Sequence, residues 1–414
     1  MRRLLIVSNR LPITVQEKKG ILHFEPSVGG LVTGLRTLYK VYDSIWIGWT
    51  GIDMERMKEE RDIMPRLLSE RCYPVSLSQR DVEAYYQGIC NNTIWPLFHY
   101  FPLYTVYSKD FWQAYERVNT AFANAIAGIA KPNDIIWIHD FHLMLLPKLV
   151  RERLPKATVG FFLHIPFPSF EVFRLLPWRK QILEGLLGAD LIGFHTYDYA
   201  GHFLDSVHRL LGYEVTMGQI TAADRMVRAD AFPMGINYEQ FSSIAWDEKT
   251  QAEMKRFRKK LGDCQVILSV DRLDYTKGIP ERLEAFSMFL DRNPKFKRKV
   301  IFVLLVVPSR TRVEHYVQLK KQLDGLVGEI NGKYGTIGWM PIWYLYRSLP
   351  FHSLAALYRL ADVGLVTPLR DGMNLVAKEY VATKTDGKGV LILSETAGAA
   401  QELGEAIIIN ANNQ

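Results

Sequence analysis

The chain has 414 residues, 48% of them hydrophobic and 23% charged, with a net charge of +7 and a pI near 9.1. That length exceeds one typical domain and fits two, and the balance of apolar and charged residues excludes a disordered chain. Three cysteines (Cys72, Cys90 and Cys264) without close spacing exclude a disulfide framework and a zinc motif, and no stretch has the length of a membrane span.

From the N-terminus, "MRRLLIVSNRLP" has an apolar run too short for a signal peptide, so a cytoplasmic location is expected. Strand candidates in the first half are 4–8, 45–49, 135–139, 158–164 and 190–194. In the second half they are 266–270, 300–307, 362–366, 389–393 and 406–410. Their hydrophobicity is continuous rather than alternating, as in parallel strands covered on both faces. Helical patterns lie between them. In 313–330, for example, Val313, Tyr316, Val317, Leu323, Leu326, Val327 and Ile330 form one stripe. The alternation predicts doubly wound α/β architecture. It pauses at "ADAFPMGINYEQF" (229–241), which places a domain boundary near residue 237 and gives domains 1–237 and 238–414. The basic cluster "RNPKFKRK" (292–299) reads as a solvated loop, not a nucleic-acid patch.

Unusual polar residues fall at the C-terminal ends of the strand candidates, where open α/β sheets bind ligands. Arg10 in "SNRLP" ends the first strand, and Gly29 and Gly30 in "SVGGLVTGL" open a helix whose free N–H groups can face an anion. A turn pair and a surface arginine are the plain alternative. In "IWIHDFHL" a strand ends in His139 and Asp140, where Asp140 can be a helix cap or a ligand contact; His139, Asp140 and His142 lack the further ligands to complete a metal site. "FFLHIPFPS" brings His164 to a neighbouring strand end, as a core histidine or, beside Asp140, a polyol contact. "VDRLDYTKGIPERLEAF" places Arg272 and Lys277 around a helix start, suited to clamping a diphosphate. Otherwise it is a basic surface loop with Asp271 and Asp274 as surface partners. "LVTPLRDGMNLVAKEY" runs from a strand through Asp371, Gly372 and Asn374 into a helix carrying Glu379, a pattern suited to sugar hydroxyls and a ribose. Tyr85, Tyr86, Trp95 and Tyr100 in 84–100 can stack on a sugar ring or simply pack.

"SNRLP", "GGLVTGL", "WIHDFHL", "FFLHIPFPS", "VDRLDYTKG" and "LVTPLRDGMNLVAKEYVA", in this order, resemble the trehalose-phosphate synthases of glycosyltransferase family 20, from residue 4 to about residue 410. The resemblance implies two Rossmann-like domains (the GT-B fold) with the active site in the interdomain cleft, the N-terminal domain binding acceptor and the C-terminal domain the nucleotide sugar. It implies transfer of glucose from UDP-glucose to glucose 6-phosphate with retention, by a same-face mechanism using no metal and no cofactor. His164, Arg272, Lys277 and Asp371 would be the catalytic set. Donor contacts would come from Gly29, Gly30, Arg272, Lys277, Leu349, Asp371, Gly372, Met373, Asn374, Leu375, Val376 and Glu379. Acceptor contacts would come from Arg10, Tyr86, Trp95, Asp140 and Arg310.

Expected partners are these two small molecules, with neither nucleic acid nor membrane; a homo-oligomer is admitted. The resemblance also implies final C-terminal helices beyond "IIINANNQ" and, in some relatives, a linked phosphatase domain. Two alternatives stand beside it: the same chemistry on another phosphorylated acceptor such as glycerol 3-phosphate, and a catalytically silent sugar-nucleotide sensor.

Overall fold

Leu5, Ile6 and Val7 are wholly buried in a strand with neighbours on both sides, which is why the first apolar run of the chain shows no alternation. The computed structural model describes residues 2–18, 21–26, 35, 42–51, 60–222, 225–310 and 313–413. It divides into two units, Met1–Pro233 and Met234–Gln414.

The first unit contains β1 (Leu4–Arg10), β2 (Ile13–Lys18), β3 (Ile21–Pro26), β4 (Ser44–Trp49), β5 (Cys72–Pro74) and β6 (Ile135–His139). Then come β7 (Thr158–Phe162), β8 (Leu191–Phe194), β9 (Glu214–Thr216), β10 (Gln219–Ala222) and β11 (Arg225–Ala231). Strands β2 and β3 form a separate antiparallel pair. The others make one sheet in the order β5-β4-β1-β6-β7-β8-β11-β10-β9. It is parallel from β5 to β11 and antiparallel at the β11-β10-β9 edge. The long helix Lys109–Ile129 starts at Ser108, whose side chain accepts from the Phe111 N–H, and buries Trp112, Tyr115, Val118, Phe122 and Ile126.

The second unit contains β12 (Gln265–Arg272), β13 (Val300–Val307), β14 (Ile342–Tyr346), β15 (Val363–Val366), β16 (Val390–Ser394) and β17 (Ile407–Ile409). They form one wholly parallel sheet in the order β14-β13-β12-β15-β16-β17. The helix expected over 313–330 spans Glu314–Tyr334 and buries Tyr316, Leu319, Leu323, Val327 and Ile330.

Both sheets are laid down outward from a central strand in one direction, then in the other, as in Rossmann folds. The order reverses between β1 and β6 in the first unit and between β12 and β15 in the second. In open α/β sheets such a reversal is where ligands bind, outside the carboxyl ends of the strands. Arg10 ends β1, Asp140 follows β6, Arg272 ends β12 and Asp371 follows β15.

Candidate active site

In the first unit the guanidinium of Arg10 lies over two rings, 4.6 Å from the centroid of Trp49 and 5.5 Å from that of Tyr86. Trp49 ends β4, beside β1, so sheet pairing itself delivers it. Tyr86 projects from Val82–Ile94, which winds as a π-helix; the N–H of Trp95 bonds back to the carbonyl of Cys90. Wide helical turns of this kind recur at functional sites because they re-aim side chains. His142 stacks on Tyr86 at 5.9 Å and 13°. Gly51, with φ +95°, lets this cluster close: a Cβ there would stand 2.8 Å from Arg10 Nη1. Trp95 is buried, packed on His99 and Phe141.

Asp140 adopts φ +76° and ψ 165°, a backbone state costly for a non-glycine residue and frequent at functional sites. Its backbone N–H bonds to Phe162 O on β7 at 2.8 Å, and its Oδ1 accepts the backbone N–H of His164 at 3.3 Å. His164 in turn meets His139, Nε2 to Nδ1, at 3.0 Å. Burial holds the His139 imidazole down to about 3; burial, then the neighbours His139 and His195, hold His164 well below the ordinary value. His164 therefore stays neutral at physiological pH and suits hydrogen bonding to hydroxyls rather than charge pairing.

In the second unit the loop after β12 is braced from beneath. Buried Arg282 donates to Asp271 Oδ2 at 2.6 Å, to Thr367 Oγ1 at 2.9 Å, and to Ser269 Oγ and the carbonyl of Lys277. Gly278, at φ +63°, starts the helix Ile279–Arg292, and a Cβ on it would sit 2.9 Å from Thr367 O. The loop thereby presents an exposed Arg272 and a Lys277 whose Nζ is ion-paired with Asp371 Oδ2. Asn374 Nδ2 donates to the same carboxylate oxygen at 3.0 Å. Asn374 has φ +74° and caps the helix Leu375–Thr383, its Oδ1 accepting from the Ala377 N–H.

One turn into that helix, Glu379 Oε2 accepts from the buried Tyr358 hydroxyl at 2.7 Å. Burial raises the Glu379 pKa, partly offset by this bond. Gly372 and Met373 are buried beside them; a Cβ on Gly398 would stand 2.1 Å from Gly372 O, which leaves no room there for any side chain. Leu375, Val376 and Leu349 are partly buried against the core of this unit. Arg310 pairs with Asp274 Oδ2 at 2.9 Å.

The structure thus brings Arg10, Tyr86, Asp140 and His164 to the strand reversal of the first unit. It brings Arg272, Lys277, Asp371, Gly372, Asn374 and Glu379 to that of the second. Gly29 and Gly30 lie outside the described residues. Asp271 and Asp274 are not surface partners of a basic loop: they are 6% and 0% exposed and hold buried arginines. Arg282, Tyr316, Tyr358 and Gly51 escape sequence reading; for Gly51, the "WTG" after an apolar strand was the available signal. Among the described residues no group of three or more His, Cys, Asp or Glu is placed to hold a metal ion, and no helix is long and apolar enough to cross a membrane.

Two open sheets of this order, with polar residues gathered at each reversal, define the GT-B class of glycosyltransferase folds. The sequence profile of glycosyltransferase family 20 matches residues 2–414. A bifunctional trehalose-6-phosphate synthase/phosphatase from Thermoproteus tenax is 49% identical over 422 residues, covering 99% of this chain and 57% of that protein. The UDP-forming α,α-trehalose-phosphate synthase 56 kDa subunit of Saccharomyces cerevisiae is 43% identical over 419 residues, covering 99% and 84%. A solved synthase from Burkholderia xenovorans in complex with glucose-6-phosphate superposes with a TM-score of 0.89 at 35% identity, covering 99% of this chain and 89% of that one. An E. coli trehalose-6-phosphate structure bound with UDP-2-fluoro glucose gives 0.87 at 36%, covering 99% and 88%. The chain spans little more than half the length of some curated relatives, 57% for the Thermoproteus protein and 56% for one from Dictyostelium discoideum. The chain belongs to glycosyltransferase family 20.

Proposed function

We propose that this chain transfers glucose from UDP-glucose to glucose 6-phosphate, giving trehalose 6-phosphate and UDP with the configuration at the transferred carbon retained. The observation that carries the reading is the division of chemistry between the two strand reversals. Two cations beside a carboxylate-amide pair stand at one, and an arginine on an aromatic platform at the other. The ligands named for the related solved structures, glucose-6-phosphate and UDP-2-fluoro glucose, support these two substrates. The second unit takes the nucleotide sugar and the first unit most of the acceptor.

Lys277 exchanges partners when donor binds. Its ammonium leaves Asp371 for the diphosphate, and Asp371, still held by Asn374, accepts hydroxyls of the donor sugar. Arg272, Lys277 and the N–H groups opening the helix at Ile279 meet the negative charge that grows on UDP as the C1–O bond breaks. These groups stabilise the leaving UDP by charge and hydrogen bonding. Glu379 accepts from the ribose, oriented by Tyr358, and Leu349, Gly372, Met373, Leu375 and Val376 wall the donor. Neutral His164 bonds a donor hydroxyl.

The acceptor hydroxyl forms its new bond to C1 on the face UDP leaves, and its proton passes to the departing phosphate oxygen. The protein's task is then positioning and electrostatics. Arg10 and Arg310 hold the acceptor phosphate, with Tyr86, Trp95 and Asp140 around the sugar. Incubation with UDP-glucose and glucose 6-phosphate, followed by NMR of the product, tests this: an α,α-1,1 linkage carrying a 6-phosphate is expected. Free glucose as the main product, or faster transfer to glycerol 3-phosphate, would refute it.

A further inference from the structure

Asp274 splits its carboxylate between two duties. Oδ1 accepts the Thr276 N–H at 3.1 Å and the Thr276 hydroxyl at 3.0 Å, closing the turn that carries Lys277. Oδ2 accepts Arg310 Nη1 at 2.9 Å and the Tyr316 hydroxyl at 3.2 Å, and Arg310 also donates to the Tyr316 oxygen. The cluster is almost dry: Asp274 is 0% exposed, Tyr316 1% and the Arg310 side chain 7%. Arg310 itself sits at φ +46°, a left-handed state that a non-glycine residue keeps only when its surroundings hold it there. Burial raises the Tyr316 pKa, so the phenol remains a donor to the carboxylate at neutral pH.

A pair this buried is costly to desolvate and contributes little to stability over an apolar pair. What it does contribute is direction. A guanidinium recognises phosphate through a planar fork, and anchoring one of its nitrogens fixes the plane in which the fork meets the oxygens. We propose that Asp274, with Tyr316, is a positioning and specificity residue: it sets Arg310 for the phosphate of the acceptor and ties that setting to the loop bearing Lys277. The inference rests on the function proposed above. It makes the preference for a phosphorylated sugar depend on a carboxylate that touches neither substrate.

The test uses Asp274→Asn, whose amide oxygen still accepts from Thr276 but carries no charge for Arg310, and Tyr316→Phe, which removes only the hydroxyl. Acceptor-dependent UDP release at saturating UDP-glucose gives kcat/KM for glucose 6-phosphate and for glucose. The ratio of the two should fall about tenfold in Asp274→Asn and about threefold in Tyr316→Phe, mainly through the KM for glucose 6-phosphate. A structural defect alone would lower both acceptors together and leave the ratio unmoved. If wild type prefers the phosphorylated sugar and both variants keep its ratio, this inference is wrong while the proposed function stands. If wild type shows no preference, the proposed function fails, and the inference with it. Should Asp274→Asn not fold, Tyr316→Phe decides.

Discussion

Lys277 and Asp371 form an ion pair at the second unit's strand reversal, where the proposed function puts the donor. Each side chain is only about a tenth exposed (11% and 14%), so the pairing compensates the hydration that both groups give up. Lys277→Ala should lower kcat by about a hundredfold or more, the usual cost of removing one fixed donor from a developing anion, with the KM for glucose 6-phosphate little changed. Steady-state kinetics checks this. Tyr358→Phe leaves Glu379 without its phenol donor, and UDP-glucose affinity should weaken about fivefold by calorimetry, about 1 kcal/mol for one hydrogen bond. Glu379 carries a pH signature as well. Its folded pKa is raised, so its contribution to stability is present below the ordinary carboxylate value and lost as pH rises through the folded value. At neutral pH the buried charge is a net cost. Glu379→Gln should therefore melt higher at pH 7 yet bind UDP-glucose more weakly, a split visible by thermal melting and calorimetry.

Loops after strands carry the candidate site residues, and at Gly278 the residue type itself anticipates the backbone state. Gly278 is needed for its left-handed φ and for its closeness to Thr367 O. Gly278→Ala should cost about 1 kcal/mol or more of stability and displace Lys277, seen as a lower melting temperature and weaker UDP binding. The inner strands were legible because strands buried on both faces give continuous apolar runs, as "VIFVLLVV" does over Val300–Val307. Most edge elements were not, although the edge strand Ile407–Ile409 falls inside an expected run. Ile342–Tyr346 is an outer strand whose aromatic residues are half-covered, and Gln219–Ala222 and Arg225–Ala231 alternate exposed and buried residues in an antiparallel edge with many polar side chains. The π-helix over Val82–Ile94 keeps apolar residues at a spacing that sequence cannot separate from an ordinary helix. Of the candidate site, the charges at or beyond strand ends were legible: Arg272, Lys277 and Asp371. Their supports were not, because Arg282 reads as an ordinary helix charge until the fold carries it under the loop to Asp271, and Asp274 finds Arg310 from 36 residues away.

At the scale of the molecule, two sheets with the same outward-then-reversed order each carry one set of candidate binding residues. By the proposed function the two sets serve a single transfer. Acceptor-dependent UDP release, measured for wild type, Arg10→Ala in the first unit and Lys277→Ala in the second, tests it most directly. In wild type, UDP should appear only when glucose 6-phosphate is present. Arg10→Ala should raise the KM for glucose 6-phosphate about tenfold or more while leaving UDP affinity within twofold, since a charged phosphate contact is worth roughly 1.5–3 kcal/mol. Lys277→Ala should do the reverse, weakening UDP and the turnover rate. UDP release that ignores glucose 6-phosphate, or an Arg10→Ala enzyme indistinguishable from wild type, would contradict a shared reaction.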